Sequence, residues 1–185
     1  MPEIILASQS PRRKQLLEWA EIDFDIIVAD TDETFPNHFA PADVAVHIAA
    51  EKAKAVQKNA GNKIIIAADT IVVLGNEIIG KPVNREDAIR ILSKLSGNHH
   101  QVITGVVLCK EEKWISFADL TDVEFHLLNH NQIEFYVDNY QPYDKAGAYA
   151  IQEWIGVVGI KCINGDFYNV MGLPVSRVVQ ALQKL

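Results

Sequence analysis

The pattern of apolar and polar residues predicts strands that alternate with helices in the first half of the chain. Apolar runs at Ile4–Ala7 and Lys63–Leu74 predict two buried strands, of which the second is the strongest in the chain. An apolar stripe along residues 42–58 predicts an amphipathic helix. Ser10 and Pro11 favour a helix start after the first strand, since serine caps helices and proline suits their first position.

Hairpins and longer strands are predicted in the second half. Gln101–Cys109 and Trp114–Phe125 predict two long strands joined by a short turn. Asn164–Asp166 is typical of a hairpin turn, so a strand is expected on each side of it, the second at 167–170. Residues 147–159 are rich in glycine and are expected to be irregular. Further helices are predicted over residues 85–95, 131–139 and 174–185. This order of elements indicates an α/β fold with a mixed sheet.

Composition limits the class of protein. The 185 residues, 49% of them hydrophobic, predict a single domain, 1–185, that folds around its own core. Cys109 and Cys162 are too few for a disulfide scaffold and fit a reducing compartment. The net charge of −7 argues against binding to nucleic acid or a membrane surface. No signal peptide or membrane span is recognisable, so a cytoplasmic protein is expected.

The first candidate site is Ser8–Arg13, between a strand end and a helix start. Free backbone N–H groups at a helix N-terminus, two hydroxyls and two guanidiniums together favour an anion, above all a phosphate. A capped helix with two solvated arginines explains the same residues equally well. The P-loop pattern of glycines followed by lysine and serine or threonine does not occur in the sequence.

The second candidate is Asp69, which follows five apolar residues of a predicted core strand. A carboxylate there requires a partner or an exit from the core, because an unpaired buried charge is costly. A cap or a buried ion pair would satisfy it, whereas a carboxylate facing a cleft would hold a cation or activate water. Lys52, Lys81 and Glu33 read as ordinary surface residues by themselves. The six histidines lack the spacing of a zinc site.

Six short motifs follow one another along nearly the whole chain: Ala7–Arg13, Glu51–Ala53, Ala68–Val72, Gly80–Pro82, Leu95–Gly97 with His100–Gly105, and Lys145–Gln152. In this order they resemble the Maf-like nucleoside triphosphate pyrophosphatases. The last motif is similar to the branch that acts on dTTP and UTP. Glu153–Trp154 departs from the pattern, because small or glycine-rich residues are expected after the glutamine.

The resemblance implies a fold like that of the inosine-triphosphate pyrophosphatases, with a mixed, curved sheet and two lobes around a central cleft. It implies hydrolysis of dTTP and UTP, including modified pyrimidine triphosphates, to the monophosphate and pyrophosphate in a house-cleaning role. A divalent cation, Mg²⁺ or Mn²⁺, would bind Glu33 and Asp69. The implied roles are acid–base catalysis for Asp69, substrate specificity for Arg12, Thr70 and Gln152, and polar contacts around the phosphates for Ser8, Arg13, Lys52 and Lys81.

Two alternatives stay open at this point. One is the same chemistry on another base, such as 7-methyl-GTP. The other is a nucleotide-binding regulator of cell division that acts by binding alone. A homodimer is expected from the resemblance and because closed dimers are the commonest oligomers.

Overall fold

The computed structural model describes residues 3–185, which form seven strands and seven α-helices. The strands are β1 (Ile4–Leu6), β2 (Asp25–Ile26), β3 (Ile64–Leu74), β4 (Glu77–Ile79), β5 (His99–Lys110), β6 (Lys113–Phe125) and β7 (Ile160–Asn164). The helices are α1 (Pro11–Trp19), α2 (Pro41–Ala60), α3 (Arg85–Leu95), α4 (His130–Tyr140), α5 (Trp154–Gly159), α6 (Phe167–Met171) and α7 (Val175–Leu182), with a short 3-10 helix at Ala146–Ala148.

The strands form one mixed sheet in the order β2-β1-β3-β5-β6-β7, and β4 pairs with β3. β1 runs parallel to both β2 and β3, whereas β4 is antiparallel to β3 and β7 is antiparallel to β6. The predicted α/β class with a mixed sheet is therefore confirmed. The helix start after β1 is also as predicted, because Ser10 caps α1 and Pro11 is its first residue.

The chain divides into two compact units. The first comprises the chain up to Thr70 together with Thr104–Asp119 and Gly172–Leu185. The second comprises Ile71–Ile103 and Leu120–Met171. The long strands β3, β5 and β6 each contribute residues to both units.

In the first unit, helix α2 lies close against the sheet because small residues line the contact. A methyl group on Gly105 of β5 would come within 2.2 Å of the Ala45 carbonyl carbon in α2, so glycine is needed there. A buried hydrophobic cluster of the same unit has few large side chains. Its buried members are Ile5, Ala7, Ala49, Ala53, Val56, Ala60, Ile65, Ala67, Val107 and Cys109.

In the second unit, α3 packs against α4. Asn84 caps α3 by accepting the Asp87 N–H at 2.9 Å. Asn129 and Gln132 form a reciprocal capping box at the start of α4. Tyr136 of α4 is fully buried, so its hydroxyl must find partners inside the protein.

Two predictions for the second unit are wrong. The segment after Asn164 is not the second strand of a hairpin but helix α6, which Asp166 supports by accepting the Tyr168 N–H at 2.7 Å. Asn169 of that helix is buried and donates to the Val102 carbonyl at 3.1 Å. Residues 147–159, expected to be irregular, contain helix α5.

No helix within residues 3–185 has the length and apolar character that crossing a membrane requires.

Candidate active site

The start of α1 in the first unit forms a compact polar corner. Ser8, in the loop between β1 and α1, is buried, and its hydroxyl accepts the Ser10 N–H at 3.2 Å. Ser10 in turn accepts the Arg13 N–H at 3.5 Å as the cap of the helix. Arg12, half-buried, is the second residue of α1. The structure thus brings the two serines and the helix N-terminus together, as the sequence predicted.

Arg13 points into the protein. Its Nε donates to the Gly172 carbonyl at 2.8 Å, one terminal nitrogen donates to Ser8 Oγ at 3.1 Å, and the other to Thr70 Oγ1 at 3.0 Å. Burial lowers the pKa of the Arg13 guanidinium, and Asp69 opposes that shift. The interpretation as two solvated arginines is therefore wrong for Arg13, which joins the loop after β1 to β3 and to the chain before α7.

Asp69 lies within β3, not at its end, and its charge is compensated. Lys52 Nζ of α2 lies 2.6 Å from Asp69 Oδ1 and 2.8 Å from Glu33 Oε1. The Asp69 and Lys52 side chains are only 14% and 18% exposed, whereas Glu33, in the loop before α2, is 50% exposed. One ammonium therefore holds two carboxylates from different elements, and the charge of the half-buried Asp69 is compensated by an ion pair.

Thr70 extends the polar corner across the sheet. Its Oγ1 lies 2.9 Å from Thr104 Oγ1 of β5, and Thr104 is fully buried. Sequence reasoning did not assign a role to Thr104. A hydroxyl between apolar residues of a core strand is the signal that points to it.

Lys81 and Gln152 belong to the second unit, and both are exposed. The Gly147 N–H donates to the Gly80 carbonyl at 3.1 Å, which connects the turn before Lys81 to the segment before Gln152. Gly147 has φ +72°, and a methyl group there would lie 2.9 Å from Val72 Cγ2. Glycine therefore allows this connection to form.

Gln152 lines a cavity of about 430 Å³ on the second unit. Its neighbours there include the apolar side chains of Ile151, Ile163 and Phe167.

A metal would depend on Glu33 and Asp69. Within residues 3–185 no group of three or more histidine, cysteine, aspartate or glutamate side chains is placed to hold an ion. Two carboxylates that meet at one cation nevertheless match Mg²⁺, which binds through one or two carboxylates and completes its shell with water and substrate phosphates.

Comparison with known proteins decides the family. The model of the family described as Maf-like protein matches residues 3–185. The chain belongs to the Maf-like protein family.

Curated relatives of this Maf-like chain carry one name. A dTTP/UTP pyrophosphatase of Cytophaga hutchinsonii is 50% identical over 183 residues, which are 99% of this chain and 84% of the relative. One of Bacteroides thetaiotaomicron is 47% identical over 185 residues, 99% of this chain and 96% of the relative. One of Bacillus mycoides is 43% identical over 184 residues, 100% of this chain and 96% of the relative.

A solved structure supports the fold of this Maf-like chain. The HAM1 protein from Coxiella burnetii superposes with a TM-score of 0.53 at 16% identity, covering 100% of both chains. At that identity the likeness concerns the fold alone.

Proposed function

We propose that this protein is a nucleoside triphosphate pyrophosphatase that hydrolyses dTTP and UTP, and modified pyrimidine triphosphates, to the monophosphate and pyrophosphate. The observation that carries the proposal is the Asp69–Lys52–Glu33 cluster beside a helix N-terminus. It occurs in a chain 43% to 50% identical to proteins named dTTP/UTP pyrophosphatase.

The triphosphate needs positive charge around it. Arg12, Lys52 and Lys81 would supply three cations, and the backbone N–H groups at the start of α1 add a partial positive charge. Ser8 completes the contacts as a hydroxyl. Arg13 contributes its positive charge, while three of its N–H groups already donate hydrogen bonds to protein atoms.

Asp69 takes a proton from the water that attacks the α-phosphorus. The new bond joins the water oxygen to phosphorus, and the bond to the bridging oxygen breaks, so that pyrophosphate leaves. Lys52 holds the Asp69 carboxylate in one orientation at 2.6 Å, which keeps the proton acceptor fixed during the step.

Glu33 and Asp69 would hold Mg²⁺ or Mn²⁺, since these carboxylates meet at Lys52 and phosphates would supply further ligands. When bound, the cation neutralises charge on the phosphates.

The base and sugar are distinguished by Arg12, Thr70 and Gln152 in this proposal. The edge of uracil or thymine presents carbonyl acceptors around one N–H donor. The carboxamide of Gln152 has a donor and an acceptor and so matches that edge. The exposed position of Gln152 leaves the carboxamide accessible to a ligand.

The proposal extends to the domain organisation, the compartment and the oligomeric state of the protein. Residues 1–185 act as a single functional domain in the cytoplasm, as a homodimer. Support for the dimer comes from the resemblance and the prevalence of two-fold oligomers. Sedimentation of the purified protein tests it, and a monomer at micromolar concentration contradicts it.

The decisive experiment measures pyrophosphate release from dTTP, UTP, 7-methyl-GTP and ATP by the parent, Asp69→Asn and Asp43→Asn proteins. Asp43 is an exposed acid in the first turn of α2 and serves as the control. We expect dTTP and UTP to be the best substrates, and Asp69→Asn to lose about 100-fold or more in kcat, as for a general base.

Preference for 7-methyl-GTP contradicts the pyrimidine assignment. Binding of the nucleotides without release of pyrophosphate supports a regulator instead. Activity of Asp69→Asn within about threefold of the parent removes Asp69 from the mechanism.

A further inference from the structure

Gln152 lies at the corner of a tight turn. The Glu153 N–H donates to the Ala150 carbonyl at 3.1 Å, which makes Ala150 the first and Glu153 the last of four turn residues. Gln152 is the third residue and its side chain is exposed, whereas Ile151 is buried. The direction of the carboxamide therefore depends on what holds the two ends of this turn.

One buried hydroxyl binds both ends. The Ala150 N–H donates to Tyr136 Oη at 3.1 Å, and Tyr136 O–H donates to Glu153 Oε2. Tyr136 is fully buried in α4, so its hydroxyl has a fixed position. The first and last residues of the turn are thus joined through a single side chain from another element.

Glu153 and α5 restrain the turn from its other side. Lys145 Nζ, on a side chain only 9% exposed, lies 3.5 Å from Glu153 Oε1. Gly156 of α5 packs so closely that a methyl group on it would lie 1.7 Å from the Ile151 carbonyl oxygen. The turn has little freedom to rotate while these contacts persist.

We propose that Tyr136 and Glu153 are positioning residues that set the preference for pyrimidine triphosphates by fixing the orientation of Gln152. This inference rests on the proposed role of Gln152 at the base. Glu153 directly follows Gln152 in the chain. Its carboxylate gives the Tyr136 hydroxyl an acceptor that a small apolar side chain cannot provide.

The orientation matters because a hydrogen bond to a base edge weakens steeply with misalignment. Removing the hydroxyl would also leave the Ala150 N–H without that acceptor and favour a rearranged turn. Phosphate contacts elsewhere would be unaffected. The expected signature is therefore a loss of discrimination between bases and not a uniform loss of activity.

The test compares kcat/KM for dTTP and for ATP in Tyr136→Phe, Glu153→Ala and Tyr140→Phe. Tyr140 is the matched control, because it is on the same helix and its ring stacks on Tyr136 with centroids 4.9 Å apart. We expect Tyr136→Phe and Glu153→Ala to lower the ratio of dTTP to ATP by about tenfold, the loss of one well-aligned hydrogen bond. Tyr140→Phe should change it by less than about twofold.

Two further variants distinguish a failure of the positioning role from a failure of the proposed role of Gln152. On a Gln152→Ala background, Tyr136→Phe should change the ratio no further, since both act through one contact. Glu153→Gln keeps an acceptor oxygen for Tyr136 and should retain most of the preference. Circular dichroism and thermal unfolding check that each variant is folded. If Tyr136→Phe does not fold, Glu153→Ala still tests whether the contact between Tyr136 and Glu153 positions Gln152.

The outcomes are distinct. If Gln152→Ala leaves the ratio unchanged, the proposed role of Gln152 is wrong, whatever the other variants do. If Gln152→Ala lowers the ratio but folded Tyr136→Phe and Glu153→Ala match the parent, the positioning role is wrong and the role of Gln152 stands. An equal fall for dTTP and ATP in both variants also overturns the positioning role.

Discussion

Arg13 shows how one side chain can be charged and yet structural. It is buried, and its hydrogen bonds to Ser8, Thr70 and the Gly172 carbonyl replace those that water would make. The planar guanidinium directs these bonds in three directions, which an ammonium on a single stem cannot reproduce. The residue therefore fixes the positions of side chains on which the proposed substrate contacts depend.

We predict that Arg13→Lys lowers the free energy of unfolding by about 2 kcal/mol or more, because buried acceptors lose their donors while the charge stays buried. Arg12→Lys, at the half-buried neighbour, is the control and should lose less. Urea unfolding followed by circular dichroism measures both. A stability of Arg13→Lys equal to that of the parent would show that the three bonds are dispensable.

His100 provides a second prediction at this scale. It is buried in the second unit, its Nε2 lies 2.7 Å from Tyr149 Oη, and its Nδ1 has no partner among the described residues. Burial, aided by the neighbouring His99, lowers the pKa of His100 from 6.5 to about 4. As the pH falls below 6.5, His100 binds a proton in the unfolded chain but stays neutral in the folded protein until the pH nears 4.

The free energy of unfolding should therefore fall between about pH 6.5 and pH 4, by about 3 kcal/mol from this group at most. Below the folded pKa the loss levels off. Urea unfolding over this pH range measures the slope in the parent, His100→Gln and His38→Gln, the last being the control at an exposed histidine. A slope in His100→Gln as steep as in the parent would assign the pH dependence to other groups.

At the scale of residues, the sequence indicated which side chains are unusual but not which side chains they contact. Asp69 stands out because a carboxylate interrupts an apolar strand, and the sequence analysis weighed an ion pair there. Lys52 is its partner because of how α2 is rotated against β3. No local sequence pattern encodes that arrangement. The same holds for Arg13, which neighbours Arg12 in sequence but turns toward the interior.

At the scale of elements, sequence predicted most helices and strands because their periodicity is strong. It failed at α6, where Asn164–Asp166 matches a hairpin turn. Long-range hydrogen bonds decide the outcome instead: Thr121 Oγ1 donates to the Asp166 carbonyl at 3.0 Å, and Asn169 is buried between β5 and β6. Helix α5 was missed because its two glycines, Gly156 and Gly159, argue against a helix until their close packing is seen.

The contact between β5 and α2 yields a prediction for an element pair. Gly105→Ala places a methyl group 2.2 Å from the backbone of Ala45, so α2 must move away from the sheet. We expect a loss of about 3 kcal/mol in the free energy of unfolding, as for an overpacked core. Gly80→Ala is the control, since nothing lies within 4 Å of a methyl group there. Equal urea midpoints for the two variants contradict this prediction.

At the scale of the whole molecule, an acidic chain carries a cluster of three cations and two carboxylates, which has a small positive net charge. The net charge is −7, yet Arg12, Arg13 and Lys52 lie in one unit near the start of α1 and within α2. The net negative charge repels extended polyanions, whereas the cluster attracts one compact anion. Net charge could be read from composition, but the clustering required the fold.

The proposed metal should matter for activity and not for folding. Within residues 3–185 only the pair Glu33 and Asp69 is proposed to reach it, and Lys52 already pairs with both carboxylates at 2.8 and 2.6 Å, which leaves one net negative charge. The cation would therefore bind chiefly together with the triphosphate, whose oxygens complete its shell. An excess of EDTA should reduce dTTP hydrolysis by about 100-fold or more, the scale of losing a catalytic metal's charge stabilisation.

Thermal unfolding of the nucleotide-free protein should be the same with EDTA and with Mg²⁺, since a ligand that does not bind the free folded state cannot stabilise it. Adding Mg²⁺ or Mn²⁺ back should restore hydrolysis, and Glu33→Gln should require a higher concentration of either ion for half-maximal rate. Asp32→Asn, at the exposed neighbour, is the control for that shift. Full activity in EDTA would contradict the metal assignment, and a large drop in unfolding temperature with EDTA would show a structural ion instead.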